Sequence, residues 1–160
     1  MEWRRAEPED AEAVSRLSLQ ILKDLGEPAE IFAERILLCP EGCHVLMSGQ
    51  DMLGHAIAHP WLRGKPPAMN QMLGSLPLDA DCWYIHEVAL VEQARGRGRV
   101  RAILQAMTET AAAAGIHVMA LVAVEGASAY WEGLGFRQAP LKDAQIGSYG
   151  GQAAYMELRF

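Results

Sequence analysis

The pattern of apolar and polar residues between positions 83 and 115 predicts a strand, a tight turn and a helix in direct succession. Residues 83–91 are almost continuously apolar, and a short basic turn with two glycines follows at 93–98. Beyond it, Val100, Ile103, Leu104 and Met107 recur at intervals of three and four, which is the period of one helix face. Gly115 stands just past the last periodic residue, where helices commonly end. We therefore expect a strand whose end leads straight into a helix N-terminus.

The rest of the chain divides into shorter periodic stretches that complete a single domain over residues 1–160. A strand at 1–6, a helix that opens at residues 7–10 and runs to Gly26, and a second helix from 28 to 39 come first, followed by strands at 43–47 and 52–59. Residues 117–124 form an apolar run, which is typical of a strand buried on both faces. A right-handed crossover would pair this run in parallel with the central strand. A short helix at 127–133 and an antiparallel pair of strands at 134–139 and 153–160 close the fold. We predict an α/β domain with a mixed, mostly antiparallel sheet, a parallel central pair and helices on both faces.

A long connection at residues 60–80 separates the second hairpin strand from the central strand. It holds four of the eight prolines, yet Trp61, Met69 and Met72 make it too apolar for plain disorder. Connections of this length in compact domains are usually functional or disordered. Two interpretations stay open: the segment folds over the edge of the core, or it forms one wall of a ligand pocket. The second is favoured because the segment directly precedes the central strand.

Composition and charge narrow the class of protein. Of the 160 residues, 51% are hydrophobic and 21% are charged, as in ordinary globular domains. The net charge of −6 argues against general binding to nucleic acid. An acidic protein can attract a cationic substrate, although an acidic surface usually signifies only solubility. The N-terminus lacks an apolar leader, and no run approaches the roughly 18 apolar residues of a membrane span. We expect a cytoplasmic protein with no membrane association. Its three cysteines, which are not spaced as zinc pairs, indicate reduced thiols and no metal centre.

The turn at 93–98 has the chemistry of a phosphate site. The first turn of a helix presents unpaired N–H groups and a partial positive charge, and both favour a bound phosphate. Gly96 and Gly98 would let a ligand approach the backbone closely. The turn lacks the Gly-Lys-Ser/Thr ending of a phosphate-binding NTPase loop. It also lacks the third glycine of a dinucleotide fingerprint, because Arg101 occupies that position.

Gln93-x-x-Gly96-x-Gly98 resembles the acetyl-CoA signature of the Gcn5-related N-acetyltransferase (GNAT) superfamily. A second stretch, 127–136, is similar to the family's Ala-x-x-aromatic-Tyr-x-x-x-Gly-Phe helix and turn, and it follows at the expected distance. The resemblance covers essentially the whole chain and implies the GNAT fold and acetyl-CoA as cosubstrate. It implies that a backbone N–H of the central strand binds the thioester carbonyl. The residues that it assigns to the cofactor are Val88, Ala89, Leu90, Arg95, Gly96, Arg97, Gly98, Arg99, Val100, Arg101 and Trp131.

Acetyl transfer to an amine needs a base, because only about one lysine-like amine in two thousand is neutral at pH 7. His86 is the first candidate, since histidine titrates nearest neutrality. Residues 84–90 resemble the histidine-bearing strand of arylalkylamine (serotonin-type) N-acetyltransferases, with Tyr84 in place of that subgroup's second histidine. Strict alternation places Tyr84, His86 and Val88 on one face of the strand and Glu87 on the other. Glu87 is therefore the second candidate base only if a β-bulge turns it. The alternative for His86 is a core histidine that is hydrogen-bonded to a neighbour.

The proton donor for the departing thiolate is less obvious. The family's usual tyrosine aligns with Trp131, and Tyr130 lies about 100° around the helix. The alternatives are Tyr130 through a change of register, Tyr84, Tyr149, or no acid at all, because a thiol pKa near 8.5 makes the thiolate a tolerable leaving group. We expect Trp61, Tyr84 and Tyr149 to line the substrate pocket.

These observations predict an acetyl-CoA-dependent N-acetyltransferase that transfers an acetyl group directly to the primary amine of a small molecule in a ternary complex. Two alternatives stay open: acetylation of a protein lysine or N-terminus, and a non-catalytic acyl-CoA-binding module. Dimers are common in the family that the chain resembles, so a homodimer is an open possibility for the oligomeric state.

Overall fold

The computed structural model describes residues 1–142 and 146–160. These residues form seven strands and four α-helices. They are β1 (Glu2–Arg5), α1 (Ala11–Leu22), α2 (Ala29–Leu38), β2 (Cys43–Ser48), β3 (Asp51–Trp61), β4 (Cys82–Leu90), α3 (Arg99–Ala113), β5 (Val118–Ala123), α4 (Ser128–Gly133), β6 (Arg137–Gln138) and β7 (Ala154–Arg159). None of the helices in this described part combines the length and the hydrophobicity that a transmembrane span requires.

The strands form one sheet in the order β1-β2-β3-β4-β5-β7-β6. β4 and β5 are parallel and every other neighbouring pair is antiparallel. Helices α1 and α2 pack on one face, where Val14 and Phe32 join a buried cluster with Val45 and Ile57. Helix α3 packs on the other face through Ile103, Leu104 and Met107. The predicted mixed sheet with a parallel central pair and helices on both faces is confirmed.

The end of the chain differs from the prediction in extent. The strand expected at 134–139 is reduced to the two residues of β6, although its antiparallel pairing with β7 is as predicted. The chain leaves α4 through a turn in which the N–H groups of Gly135 and Phe136 bond carbonyls of that helix. Gly135 has φ 103°, a left-handed conformation, and Phe136 is fully buried in the core. The turn and the buried ring therefore use the residues that alternation had assigned to the strand.

A β-bulge interrupts β4 at the middle of the sheet and corrects the predicted alternation. Glu87 pairs with Ile57 of β3, but the next β3 residue, Ala58, pairs with Ile85. His86 is the extra residue, so Tyr84 and Glu87 lie on the α1/α2 face while Ile85 and Val88 lie towards α3. The prediction that strict alternation would separate Glu87 from His86 is wrong. The bulge, which was the stated exception, turns Glu87 to the same side as His86.

Strands β4 and β5 separate at the same point. Their pairing covers only residues 83–85 of β4, opposite 119–121 of β5, although both strands continue further. Residues 86–90 consequently have β3 on one side and no register partner in β5 on the other. A gap in the sheet next to a bulge exposes strand backbone and re-aims side chains, which is where binding sites commonly form.

Candidate active site

A first cavity of about 700 Å³ lies beside the end of β4, between the turn before α3 and the start of α4. Residues 88–90 of β4 line its floor, and the turn before α3 and the start of α4 line its walls. Among the residues assigned to the cofactor from the sequence, those lining this cavity are Val88, Ala89, Leu90, Arg95, Gly96, Gly98, Arg99, Val100, Arg101 and Trp131. Arg97 is not among its lining residues. The cavity therefore combines free strand backbone with a helix N-terminus.

The turn at 95–98 owes its shape to two left-handed glycines. Gly96 has φ 74° and Gly98, which precedes the first residue of α3, has φ 71°. Such angles cost an ordinary residue roughly 1–2 kcal/mol, so glycine suits both positions. The first turn of α3 has no acidic residue and no side-chain cap, which leaves its N–H groups for an anion. The arginines partly brace the turn, since Nε of Arg95 donates to the Leu90 carbonyl at 3.0 Å.

A second cavity of about 400 Å³ lies where β4 and β5 separate, with residues 85–88 of β4 and Leu121 and Val122 of β5 in its lining. It shares lining residues with the first, among them Val88, Arg95, Tyr130 and Trp131, so the two cavities meet beside the bulge. The second cavity alone is lined by Glu27, His86, Glu87 and Tyr149. The two cavities therefore adjoin at Val88.

The bulge brings a histidine and two buried carboxylates together in the second cavity. Nε2 of His86 lies 2.5 Å from Oε1 of Glu27, although the angles of this ion-pair contact are not those of a hydrogen bond. Glu87 accepts a hydrogen bond from Nε2 of His55 at 2.6 Å. Glu27, His86 and Glu87 each have one nitrogen or oxygen atom that could bind a cation, and these three atoms lie within 4.8 Å of one another. A cationic group that enters the cavity would thus meet both carboxylates.

Glu27, which the sequence analysis did not identify, is held from several directions. Its Oε2 accepts the N–H of Asn70 at 2.6 Å, and its own N–H donates to Oγ of Ser18, which in turn donates to Glu87. Burial raises the pKa of Glu27, but contacts with His86, the Asn70 N–H and the charge of Arg35 outweigh it and lower the pKa overall. Glu27 is therefore an anion at neutral pH, placed beside the histidine that the sequence had indicated.

A segment of the long connection, residues 67–74, lies beside the second cavity; we call it the strap. Hydroxyl groups of the loop before β7 hold its first part: Tyr149 donates to the Pro67 carbonyl at 2.5 Å, and Ser148 accepts the Met69 N–H at 3.2 Å. Glu34 accepts the N–H groups of residues 73 and 74 at 2.7 and 2.9 Å. Met69 lines the cavity from above. These contacts favour the pocket-wall interpretation of the connection.

Behind the cavity lies a set of buried polar groups. Arg35 is fully buried and pairs with Glu34 at 3.0 Å, and burial lowers the pKa of its guanidinium. Tyr84 is also buried; its hydroxyl lies 3.1 Å from that of Tyr149, and burial raises the pKa of both phenols, that of Tyr149 to about 12. Tyr84 thus contacts a lining residue without lining the cavity itself.

Trp61 and Tyr130 differ in whether they line the cavities. Trp61 does not line either cavity: its indole N–H donates to the Lys65 carbonyl, and its ring packs against His59. Its assignment to the substrate pocket is not supported by this placement. Tyr130 is half-exposed and lines both cavities, next to the buried Trp131. No motif marked Glu27, Asn70 or Met69, because each reaches the site only through long-range contacts.

The structure is an α/β fold in which a cavity at a helix N-terminus adjoins a second cavity that is lined by buried carboxylates. The model of the acetyltransferase (GNAT) family matches residues 4–136, which is more than half of the chain. The chain belongs to this family and is an acyltransferase that uses acetyl-CoA. A search of curated protein sequences found no match.

Solved structures with the same fold share little sequence with the chain. The GNAT-like decarboxylase GphF, in complex with isobutyryl-CoA, is 13% identical, with a TM-score of 0.77 and 99% of both chains covered. The loading GNATL domain of CurA from Lyngbya majuscula is 12% identical, with a TM-score of 0.78 over 99% of this chain and 96% of that one. Arabidopsis thaliana Naa50, in complex with the bisubstrate analogue CoA-Ac-MVNAL, is 12% identical, with a TM-score of 0.70 over 99% and 98%. At these identities the likeness concerns the fold.

Proposed function

We propose that the protein acetylates the primary amine of a small molecule by direct transfer from acetyl-CoA in a ternary complex. The observation that carries this proposal is the meeting of the two cavities beside Val88. One has a helix N-terminus, as a pyrophosphate requires, and the other has two carboxylates and a histidine, as an amine requires. Both substrates would fit at once, with the thioester at their junction.

The Glu27–His86 pair is the proposed base. The neutral amine attacks the thioester carbon, a C–N bond forms and the C–S bond breaks, and the amine proton passes to His86, directly or through water. Glu27 stabilises the imidazolium that results, and CoA leaves as a thiolate that takes up a proton. Alternate N–H groups within residues 88–90 face the edge of β4 that has no register partner in β5, and these are the proposed donors for the carbonyl oxygen. The products are the acetamide and CoA.

Glu87 supports this pair without replacing it. Its carboxylate is already engaged by His55 and by the hydroxyl of Ser18, whereas Nδ1 of His86 has no hydrogen-bond partner in the described part of the chain. Nδ1 of His86 is therefore the atom that is free to accept a proton. Tyr130 lies at the junction of the cavities, where it could donate a proton to the thiolate.

The strap supports a small acceptor over a peptide. It ties the corner between α1 and α2 to the loop before β7, so that Met69 and Tyr149 both line the cavity. An extended peptide would have to displace these contacts. Naa50 was solved with a bisubstrate analogue that carries a peptide, which keeps protein N-termini as the second candidate. An arylalkylamine acceptor, which the strand at 84–90 suggests, is a narrower form of the same proposal.

The carboxylates that line the second cavity also disfavour an acyl group with a negative charge. GphF is a GNAT-like decarboxylase, and a decarboxylase must accept a carboxylate in its acyl site. Here Glu27 and Glu87 would repel such a group at the junction, because like charges in a buried site disfavour each other strongly. The electrostatics of the cavity thus support an amine acceptor.

Two measurements in series test the proposal. Thermal stability is measured first with acetyl-CoA, with ADP and NADP as controls, since a ligand at a hundred times its Kd adds about 2.7 kcal/mol. Thiol release is then followed with a panel of alkylamines, tryptamine, phenethylamine and short peptides. We expect stabilisation by acetyl-CoA, and thiol release with small amines that His86→Ala largely abolishes. Release with peptides alone, or undiminished release by His86→Ala, would contradict the acceptor or the base respectively.

A further inference from the structure

Charge is distributed unevenly along the acceptor cavity. Among the described residues, three carboxylates line the cavity, and two of them, Glu27 and Glu87, are buried and engaged by other groups. The third, Glu125, is exposed where the chain leaves β5. In residues 1–142 and 146–160, Arg95 is the only lysine or arginine that lines this cavity, and it also lines the first cavity. The cavity is therefore anionic at its depth and again at the Glu125 end.

Glu125 is not used by the fold. Its carboxylate makes no salt bridge or hydrogen bond with residues 1–142 and 146–160. Its backbone is left-handed, with φ 50°, and the following Gly126 has φ 77°. This turn carries the side chain beside Val124 and Ala127, which line the same cavity. An unpaired carboxylate at this position is available to a ligand.

The buried end of the cavity provides an independent sign of a ligand. The side chain of His86 is only 1% exposed, and its Nδ1 has no hydrogen-bond partner in the described part of the chain. A buried polar atom without a partner is costly, and such atoms normally have a bound group or water as partner. The same cavity is also lined by apolar side chains, among them Leu25, Met69 and Val122. These side chains can contact an alkyl chain.

We propose that the acceptor is an aliphatic dication: a diamine or polyamine whose reacting amine lies at Glu27 and His86 while its distal ammonium pairs with Glu125. This inference rests on the proposed acetyl transfer and specifies its substrate class. The distal ammonium stays charged throughout the reaction, so its contact with Glu125 contributes to binding and orientation. Glu125 is thus a specificity-determining residue and takes no part in the chemistry.

The test compares amines of equal length with one or two charges. Calorimetry measures the affinity of cadaverine and of n-pentylamine for the protein saturated with CoA, and thiol release measures the turnover of both with acetyl-CoA. We expect cadaverine to bind about fivefold more tightly, which corresponds to about 1 kcal/mol and to the upper range for a solvent-exposed ion pair. The preference should diminish as ionic strength rises.

Two variants separate the local contact from the general field of an acidic protein. Glu125→Gln should reduce the preference to about onefold and leave n-pentylamine unchanged. Glu109→Gln removes the same charge from an exposed position on α3 outside both cavities, and it should preserve the preference. Equal affinity for the two amines in the wild type, tighter binding of tryptamine than of cadaverine, or a preference that survives Glu125→Gln would overturn the inference.

The same experiment distinguishes the two proposals. Thiol release with both amines at equal affinity would leave acetyl transfer intact and remove the dication. Selective binding of cadaverine through Glu125, with no thiol release from any amine, would remove acetyl transfer and leave the site.

Discussion

The two sides of the cleft are built in opposite ways. The cofactor side comes mostly from one continuous stretch, residues 88–101, completed by the start of α4. The acceptor side brings together segments that are distant in the sequence: the end of α1 with the corner before α2, the strap, the bulge in β4, β5 with the loop after it, α4, and the loop before β7. A contiguous site leaves a motif in the sequence, whereas a site of distant parts depends on the whole fold. The difference explains why the sequence indicates the cofactor more clearly than the acceptor.

The two sides also differ in where their charges lie. The arginines of the cofactor turn are at the surface or partly buried, and the backbone provides the anion site. On the acceptor side Glu27, Arg35, His55 and His59 are buried. Buried charges have strong mutual interactions and strong effects on stability. We therefore expect changes on the acceptor side to alter chemistry and pH response, and changes on the cofactor side to alter binding of acetyl-CoA.

The largest effect should come from Glu27→Gln. The amide can still accept the Asn70 N–H, but it no longer stabilises a protonated His86. Loss of a positioned base commonly costs a factor of 10²–10⁴, and we expect kcat to fall at least about a hundredfold. Steady-state thiol release measures it, while stabilisation by acetyl-CoA should stay as in the wild type.

Glu30→Gln, which removes the same charge from an exposed position on α2, is the matched control and should retain wild-type kcat. If Glu27→Gln retained more than about a third of wild-type kcat, Glu27 would be excluded from the base, and Glu87 would become the better candidate.

The second effect concerns stability at mildly acidic pH. Burial lowers the pKa of His59 to about 3, although its Nδ1–H donates to the Pro60 carbonyl. In the unfolded chain the histidine binds a proton below about pH 6.5, so the unfolded state holds more protons between these values. The free energy of unfolding should therefore fall as pH decreases through this window, by up to about 1.4 kcal/mol per pH unit from this group.

His59→Asn keeps a donor for the Pro60 carbonyl and removes the titration. Urea unfolding between pH 6.5 and pH 5, above the range in which carboxylates titrate, should show a flatter slope in the variant. The variant will be less stable at every pH because the ring leaves a cavity, so the slope is the informative quantity. An unchanged slope would show that His59 does not hold back a proton in the folded state.

The third effect tests the cofactor side with a pair of glycines. Gly98→Ala and Gly49→Ala both place a Cβ at a left-handed position, φ 71° and 61°, with no protein atom within 4 Å of it. Each should lose about 1 kcal/mol of stability through backbone strain. Only Gly98→Ala should also weaken acetyl-CoA binding, by about fivefold, because relaxing its φ re-aims the N–H groups at the start of α3. Calorimetric titration with acetyl-CoA compares the two, and equal affinities would refute a role for this turn in binding.

Much of the fold followed from local patterns. The strand, turn and helix at 83–115, the parallel pairing with β5 and the hairpin of β2 and β3 all appear as predicted, because each depends on periodicity or a short connection. The position of the bulge could not be predicted from the sequence, because neither His86 nor Glu87 is a residue type that marks a bulge. The bulge arises from the way in which β3 and β4 pair. The role of Glu27 in the site could not be predicted either. Glu27 is a single glutamate before a proline, and His86, with which it pairs, lies 59 positions along the chain.

The smallest effect should come from Tyr130→Phe. The phenol of Tyr130 lines both cavities, so it belongs to both sides of the cleft. Burial raises the pKa of this half-exposed phenol, which makes it a weak acid at neutral pH. The departing thiol has a pKa near 8.5, so its thiolate leaves without much help. We expect kcat to fall by no more than about threefold and acetyl-CoA affinity to change little, because the ring remains. A loss of more than about thirtyfold in kcat, with binding intact, would assign the acid to Tyr130. Chemistry would then depend on both sides of the cleft, and the division of labour between them would fail.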